Sequence, residues 1–388
     1  MSKWQRLSKA GRNSTVRVVS DVVKVWRSLF RGYRLNAHSL QGFASLFFVG
    51  VSLIVAIAAC SPTETNTASP GNANNPTARK SNVELTLVSF AVTKAAHDQI
   101  IPKFVEKWQA EHNQTVSFSQ SYGGSGSQTR AVIDGLEADV VALALPLDTK
   151  KIEEAGLIEP GWEKEAPNEG IVTRSVAAIV TREGNPKNIK TWADLAKDGV
   201  KVITANPKTS GGARWNFLAL WGAMTETGKD EAKAEELTTR VYKNVPILPR
   251  DAREATDVFF KQGQGDALIN YENEMILASQ KGQKLPYVVP DVNISIDNPV
   301  AVVDKNVDKH GTREVAEAFV QFLYTPEAQR EFAKVGFRPV DATVEKEVEK
   351  QFPPVKTLFT AKDLGGWDEI QRKFFDDGAI FDKIQAKL

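Results

Sequence analysis

The sequence predicts an α/β protein with largely parallel sheets. Three observations carry this reading. Short β-branched runs alternate with helical patterns along most of the chain, and the run 139–145 is apolar after its first residue, as in a strand covered on both faces. Ser- or Gly-bearing turns stand between several of the strands and the helices that follow them.

In order, Val83 to Phe90 alternates as a strand. Ile100, Ile101, Phe104, Val105 and Trp108 then repeat at helical spacing. Thr115 to Ser121 reads as the next strand, and Tyr122-Gly123-Gly124-Ser125-Gly126-Ser127-Gln128 leads into a helix with Val132, Ile133 and Leu136 on one face. Strands follow at 139–145, 176–181 and 200–204, with a short helix beginning at Trp192. The helix after Ser210 is heavy in large apolar groups, Trp215, Phe217, Leu218, Leu220 and Trp221, which read as core. A short strand at 245–248, a helix carrying Val258 and Phe259, and strands at 267–270 and 300–303 come next. Helices at 315–323, 326–332 and 367–374 close the chain, and there is no internal repeat of fixed period.

At 388 residues the chain has room for two or three domains and a large core. Its one cysteine, Cys60, excludes an intrachain disulfide. The net charge of +1 hides an asymmetry. Residues 1–40 carry nine Lys or Arg against one acid, and residues 41–59 carry no charge, so the rest of the chain is about −7. An acidic body argues against a nucleic-acid footprint. It also means that bulk charge cannot explain affinity for an anion.

The N-terminus reads as an address. Phe43 to Ala59 is an uncharged, mostly apolar stretch of 17 residues behind a basic segment, the pattern of an export signal. Ile57-Ala58-Ala59-Cys60 resembles a bacterial lipobox, which implies cleavage before Cys60 and its lipidation. The alternatives are an ordinary signal cut near Ala59 or an uncleaved anchor. Ser61 to Lys80 is rich in Ser, Thr, Asn, Pro and Ala and cannot bury enough surface to offset chain entropy, so a flexible tether is expected.

The informative stretch is Asn206-Pro-Lys-Thr-Ser-Gly-Gly-Ala-Arg-Trp215. A Ser-Gly-Gly turn between strand and helix presents backbone N–H groups at a helix N-terminus, where the dipole favours an anion. Taken alone, it reads as a turn with Ser210 as N-cap. Similar turns open helices at Ser89 to Thr93, Gly123 to Ser127 and Ala252-Arg253. In an open α/β sheet such turns gather beyond the carboxyl ends of the strands, so four together predict a convergent anion pocket. An enzyme is the main rival. No His or Cys cluster suggests a metal, and Gly124-Ser125-Gly126-Ser127-Gln128 lacks the last glycine of a nucleophile elbow. His97 is expected on a helix surface. A purely structural lipoprotein is the second rival. It predicts no small-anion affinity.

Three segments carry a resemblance: Ser121 to Gln128, Gly135 to Leu145, and Asn206 to Asn216. Together with Tyr271-Glu272-Asn273-Glu274, Arg338-Pro339 and Gly365-Gly366-Trp367, they are similar to the prokaryotic sulfate-binding protein family from about Val83 to the C-terminus. The resemblance implies a two-lobed, type II periplasmic-binding-protein fold, each lobe a mostly parallel sheet flanked by helices. Lobe one would span 81–174 plus 296–388, and lobe two 175–295. It further implies sulfate in the interlobe cleft, delivered to the membrane permease and ATPase of an ABC importer by a periplasmic monomer. No cofactor, metal or catalysis is implied.

Carried over by motif, the ligand contacts are the N–H groups of Ala91, Ser125, Gly211, Gly212 and Ala252, the Ser210 hydroxyl, and Tyr271, with Arg253 in support. Two positions depart from the pattern. Asp is common where Ala91 stands, and Trp is common where Tyr271 stands. A phenol can accept as well as donate, so thiosulfate, molybdate and hydrogen phosphate stay open beside sulfate. Asp251 is expected to face solvent, between Arg250 and Arg253.

Overall fold

The computed structural model describes residues 82–388. The export signal, Cys60 and the tether lie outside the described residues. Among the described residues no helix is long and apolar enough to cross a membrane.

The chain opens with β1 (Asn82–Phe90), a 3₁₀ turn (Ala91–Thr93), α1 (Lys94–His112), β2 (Thr115–Gly123), α2 (Ser125–Ile133), β3 (Val140–Ala142) and α3 (Pro146–Glu154). Next come β4 (Ile171–Ser175), β5 (Ala177–Thr181), a 3₁₀ turn (Trp192–Ala196), β6 (Val202–Ile203), α4 (Gly211–Gly228) and α5 (Glu231–Lys243). Then follow α6 (Ala252–Phe260), β7 (Ala267–Tyr271), α7 (Glu272–Gln280), β8 (Tyr287–Val288), β9 (Val292–Ile294) and β10 (Ile296–Val302). The remainder is α8 (Asp304–His310), α9 (Arg313–Leu323), α10 (Pro326–Lys334), α11 (Ala342–Val348), β11 (Thr357–Phe359), α12 (Gly366–Ile370), a π-helical turn (Gln371–Phe375) and α13 (Ile380–Gln385).

One sheet has the order β2-β1-β3-β10-β4, a second has β6-β7-β5-β8, and β11 pairs with β9 in a two-stranded ribbon. Register explains how the first sheet builds an edge. β1 runs parallel to both β2 and β3, and Ser89 stands opposite Tyr122 on one side and Ala142 on the other. Three strands therefore end together, and the turns after them share one rim. In the second sheet β6 is parallel to β7, with Ile203 opposite Leu268. The segment after β6 and the end of β7 at Tyr271 thus emerge on one side.

Parallel pairing is found in these three strand pairs and in the β9–β11 ribbon, and the two larger sheets are mixed. β10 is antiparallel to β3 and β4, and β5 is antiparallel to β7 and β8. The cause is the path of the chain. β4 and β5 are separated only by Val176, so one extended segment passes from the first sheet to the second, and β9 and β10 only by Ser295, so another passes from the ribbon to the first sheet.

Other local expectations change. Residues 245–248 form no strand. Pro246 and Pro249 lack donors, Val245 N turns back to Tyr242 O at 3.0 Å, and the flanking residues are tied by Val202 N to Asn244 O at 2.8 Å and Asn206 N to Pro249 O at 2.8 Å. In α2, Val132 is buried but Ile133 is 40% exposed, and Leu136 lies beyond the helix end. The C-terminal segment, expected with the first sheet, packs on helices that follow strands of the second. Phe217 meets Phe374 and Phe375 at 5.5 and 5.4 Å, and Tyr242 meets Phe381 at 5.6 Å. The reason is α4 itself. Trp215, Phe217, Leu218, Leu220 and Trp221 are all at most 2% exposed, and a helix apolar all round must be covered on every face.

His97 is not a surface residue. It is 1% exposed, with Nδ1 3.1 Å from Tyr122 Oη and its ring 6.1 Å from that of Phe332. Burial holds its pKa down to about 4. A histidine with a lowered folded pKa stabilises the fold above its unfolded value of 6.5 and loses that contribution as pH falls toward 4, because only the unfolded chain takes the proton there. The expected loss from this one group is about 3 kcal/mol. Urea titrations between pH 7 and pH 4 check this: His97→Gln should show a shallower fall in stability than the parent, and equal falls would refute the assignment.

Candidate functional site

The site forms where the two rims meet. Its first wall is the turn after β1 and the start of α2. Ala91 opens the 3₁₀ turn, Gly124 is the N-cap of α2, and Ser125 is its first residue. The second wall comes from elements after β6 and β7. Ser210 caps α4, whose first residues are Gly211 and Gly212, Asp251 caps α6 ahead of Ala252, and Tyr271 precedes α7. A small cavity of about 10 Å³ lies between them, and Ala91, Ser125, Ser210, Gly211, Gly212, Ala252 and Tyr271 all line it. The residues picked from sequence are brought together. Arg253 lies outside the lining. Its guanidinium pairs with buried Glu274 at 2.7 Å and reaches the Val92 carbonyl at 3.5 Å.

First-turn N–H groups have no acceptor within their own helix, so this lining is rich in free donors. The side chains sharpen it. Ser125 Oγ donates to Asp148 Oδ2 at 2.6 Å and accepts from Ala144 N at 2.9 Å, so Ser125 offers the cavity its backbone N–H alone. Ser210 Oγ accepts from Ala213 N at 3.3 Å, which leaves its own proton to donate. Tyr271 is 1% exposed, and its Oη has no hydrogen-bond partner among the described residues. Burial, then Asp148 and Glu274, raises its pKa well above the usual tyrosine value, so it stays a neutral O–H. Among the described residues no Lys or Arg side chain lines the cavity. Among the described residues no cluster could hold a metal.

Asp251 corrects the expectation of a solvent-facing carboxylate. It is 6% exposed and lines the cavity, and its Oδ1 takes the Glu254 N–H at 2.9 Å as an N-cap. Arg250 Nε stands 3.7 Å from Oδ2. The local reason is that a strand-to-helix turn needs a cap, and Asp is among the best.

Gly124 and Gly211 are set by proximity of the two walls, and Gly212 by close packing within the second. A Cβ on Gly211 would lie 2.6 Å from Ala144 Cβ, one on Gly212 2.6 Å from the Tyr271 ring, and one on Gly124 2.5 Å from the Thr209 carbonyl. Sequence reasoning missed Ala144, Asp148 and the supporting shell behind Ala252. Thr256 Oγ1 donates to Glu274 Oε2 at 2.7 Å, and Asn270 Nδ2 donates to Ala252 O at 2.7 Å. The motif Tyr271-Glu272-Asn273-Glu274 held part of that signal. Glu272, fully buried, makes a two-point pair with Arg338 at 2.8 and 3.1 Å.

Fold and site together define a solute-binding protein of the two-lobed type, with a small donor-lined cleft. Residues 85–338 match the model of the family described as "Bacterial extracellular solute-binding protein". The "Sulfate-binding protein" of Synechococcus elongatus is 59% identical over 91% of this chain and 99% of its own. The "Thiosulfate-binding protein" of Escherichia coli is 35% identical over 78% of this chain and 91% of its own. Among solved structures, "The sulfate-binding protein SubI from Mycobacterium tuberculosis H37Rv" aligns at a TM-score of 0.70 and 38% identity, covering 76% of this chain and 99% of that one. The chain belongs to the sulfate-binding protein family of bacterial extracellular solute-binding proteins.

Gly211→Ala should part the two walls without unfolding either. Small-angle scattering should show a larger radius of gyration than the parent, with the melting temperature shifted by no more than a few degrees. An unchanged radius would mean that the close approach at Gly211 does not control the cleft.

Proposed function

We propose that this chain captures sulfate in the cleft between two lobes and hands it to the permease and ATPase of an ABC importer. The observation that carries this is the lining itself: helix N-termini and two neutral hydroxyls converge on one small cavity that no Lys or Arg side chain lines. Sulfate is a dianion without a proton, so it needs donors only. Dipoles at helix starts stabilise it without a paired cation. The proposed ligand groups are the N–H of Ala91, Ser125, Gly211, Gly212 and Ala252, Ser210 Oγ and Tyr271 Oη. Arg253 supports the loop from behind.

The proposed lobe one holds 81–174 and continues from 296. Lobe two holds 175–295 with the segment from about 357 onward packed upon it. Rotation about the segments near Val176 and Ser295 would open and close the cleft. Outside the described residues, the export signal, lipidation of Cys60 and a tether to about residue 80 would hold a monomer at the membrane surface.

A second reading, for thiosulfate or a protonated oxyanion, has two observations in its favour. Tyr271 Oη can accept as well as donate, and the Asp251 carboxylate lines the cavity. Calorimetry of the purified protein against sulfate, thiosulfate, molybdate and phosphate separates the readings. Sulfate should give the strongest binding, and no heat with sulfate at micromolar protein would sink the proposal. Ser210→Ala should weaken sulfate by about 1–3 kcal/mol, since a buried ligand oxygen loses its partner.

A further inference from the structure

Trp215 lies four residues past Gly211 on α4 and is fully buried. Most of its ring is ordinary core, packed edge-on against Trp367 with centroids 4.8 Å apart at 81°. Its indole N–H leaves that core and donates to the Ala144 carbonyl at 2.7 Å. Ala144 lies just past β3, in the first lobe. Its N–H donates to the same Ser125 hydroxyl that Asp148 fixes, and its carbonyl also accepts from Asn298 Nδ2 at 3.1 Å. Asn298 belongs to β10, on Ala144's own side. Of the bonds to Ala144 among the described residues, the Trp215 bond is the one that crosses from the second lobe.

We propose that Trp215 is a positioning residue, a latch whose indole N–H bonds Ala144 when the cleft closes and holds the Gly211 and Gly212 donors in register with the Ser125 N–H. The inference rests on the anion-binding reading above. Two features support it. The same helix presses Gly211 against the same residue, so any rotation that separates Gly211 from Ala144 also stretches the indole bond. On opening, the Ala144 carbonyl keeps Asn298, so the acceptor is not orphaned, and the indole N–H must turn to water entering the opened cleft. Trp215 does not line the cavity.

The test combines NMR of the indole N–H with sulfate kinetics on the purified protein. In the parent, the Trp215 indole proton should exchange slowly with sulfate bound and fast without it. Trp215→Phe keeps an aromatic side chain and drops the donor. It should raise the sulfate dissociation rate roughly three- to tenfold, the worth of one net hydrogen bond, and leave the association rate unchanged, while the smaller ring lowers the melting temperature of the sulfate-free and sulfate-bound protein alike. Equal protection in both states overturns the latch, and so does a variant that releases sulfate at the parental rate. If the variant fails to fold, the exchange measurement on the parent still decides. A parent that binds no sulfate overturns the functional reading and the latch with it. A parent that binds and closes with Trp215 indifferent overturns the latch alone.

Discussion

The structure turns on a debt left by helix geometry: the first-turn N–H groups of an α-helix have no partner within the helix. α2, α4 and α6 all begin at one cavity between two sheets, together with the 3₁₀ turn after β1. Side-chain caps from Ser210 and Asp251 satisfy one donor each and leave others free. Each donor shut away unpaired costs on the order of 1–3 kcal/mol. A closed, empty cleft is therefore unfavourable, and a closed cleft holding an acceptor-rich dianion is favourable. Ligand capture and closure become one event.

Close approach is what makes this economical. Gly124, Gly211 and Gly212 have no room for a Cβ, and their neighbours are Thr209, Ala144 and Tyr271. Gly124 meets main chain across the cleft and Gly211 meets only the small Ala144 side chain, so peptide donors rather than long cationic side chains reach the ligand. The charged groups stand behind, paired among themselves: Glu274 with Arg253, and Glu272 with Arg338. Buried ion pairs add little net stability but impose geometry. Here they fix the starts of α6 and α7 from the rear.

Much of this was legible in the sequence because it is local. Strand-turn-helix order follows from periodicity, and Ser210-Gly211-Gly212, Gly124-Ser125 and Asp251-Ala252 announce helix starts by their cap chemistry. What was not legible depends on partners distant in the chain. Ser125 reads as a donor until Asp148 is seen taking its proton. Asp251 reads as a surface charge until its capping role buries it. His97 shows no helical-face signal strong enough to predict contact with Tyr122 and Phe332. The antiparallel pairing of β10 follows from two chain crossings that no single window of sequence contains. The C-terminal aromatics find α4 because that helix leaves no polar face, a consequence visible only after its other sides are covered.

The central claim is that neutral donors alone hold the anion. A crystal structure of the sulfate complex tests it most directly. The account predicts sulfate in the cavity, with its oxygens within hydrogen-bond distance of the N–H groups of Ala91, Ser125, Gly211, Gly212 and Ala252, and of Ser210 Oγ and Tyr271 Oη. It also predicts no Lys, Arg or His side chain in contact with the ligand. A sulfate bound elsewhere, or held by a cationic side chain such as Arg253, would contradict it.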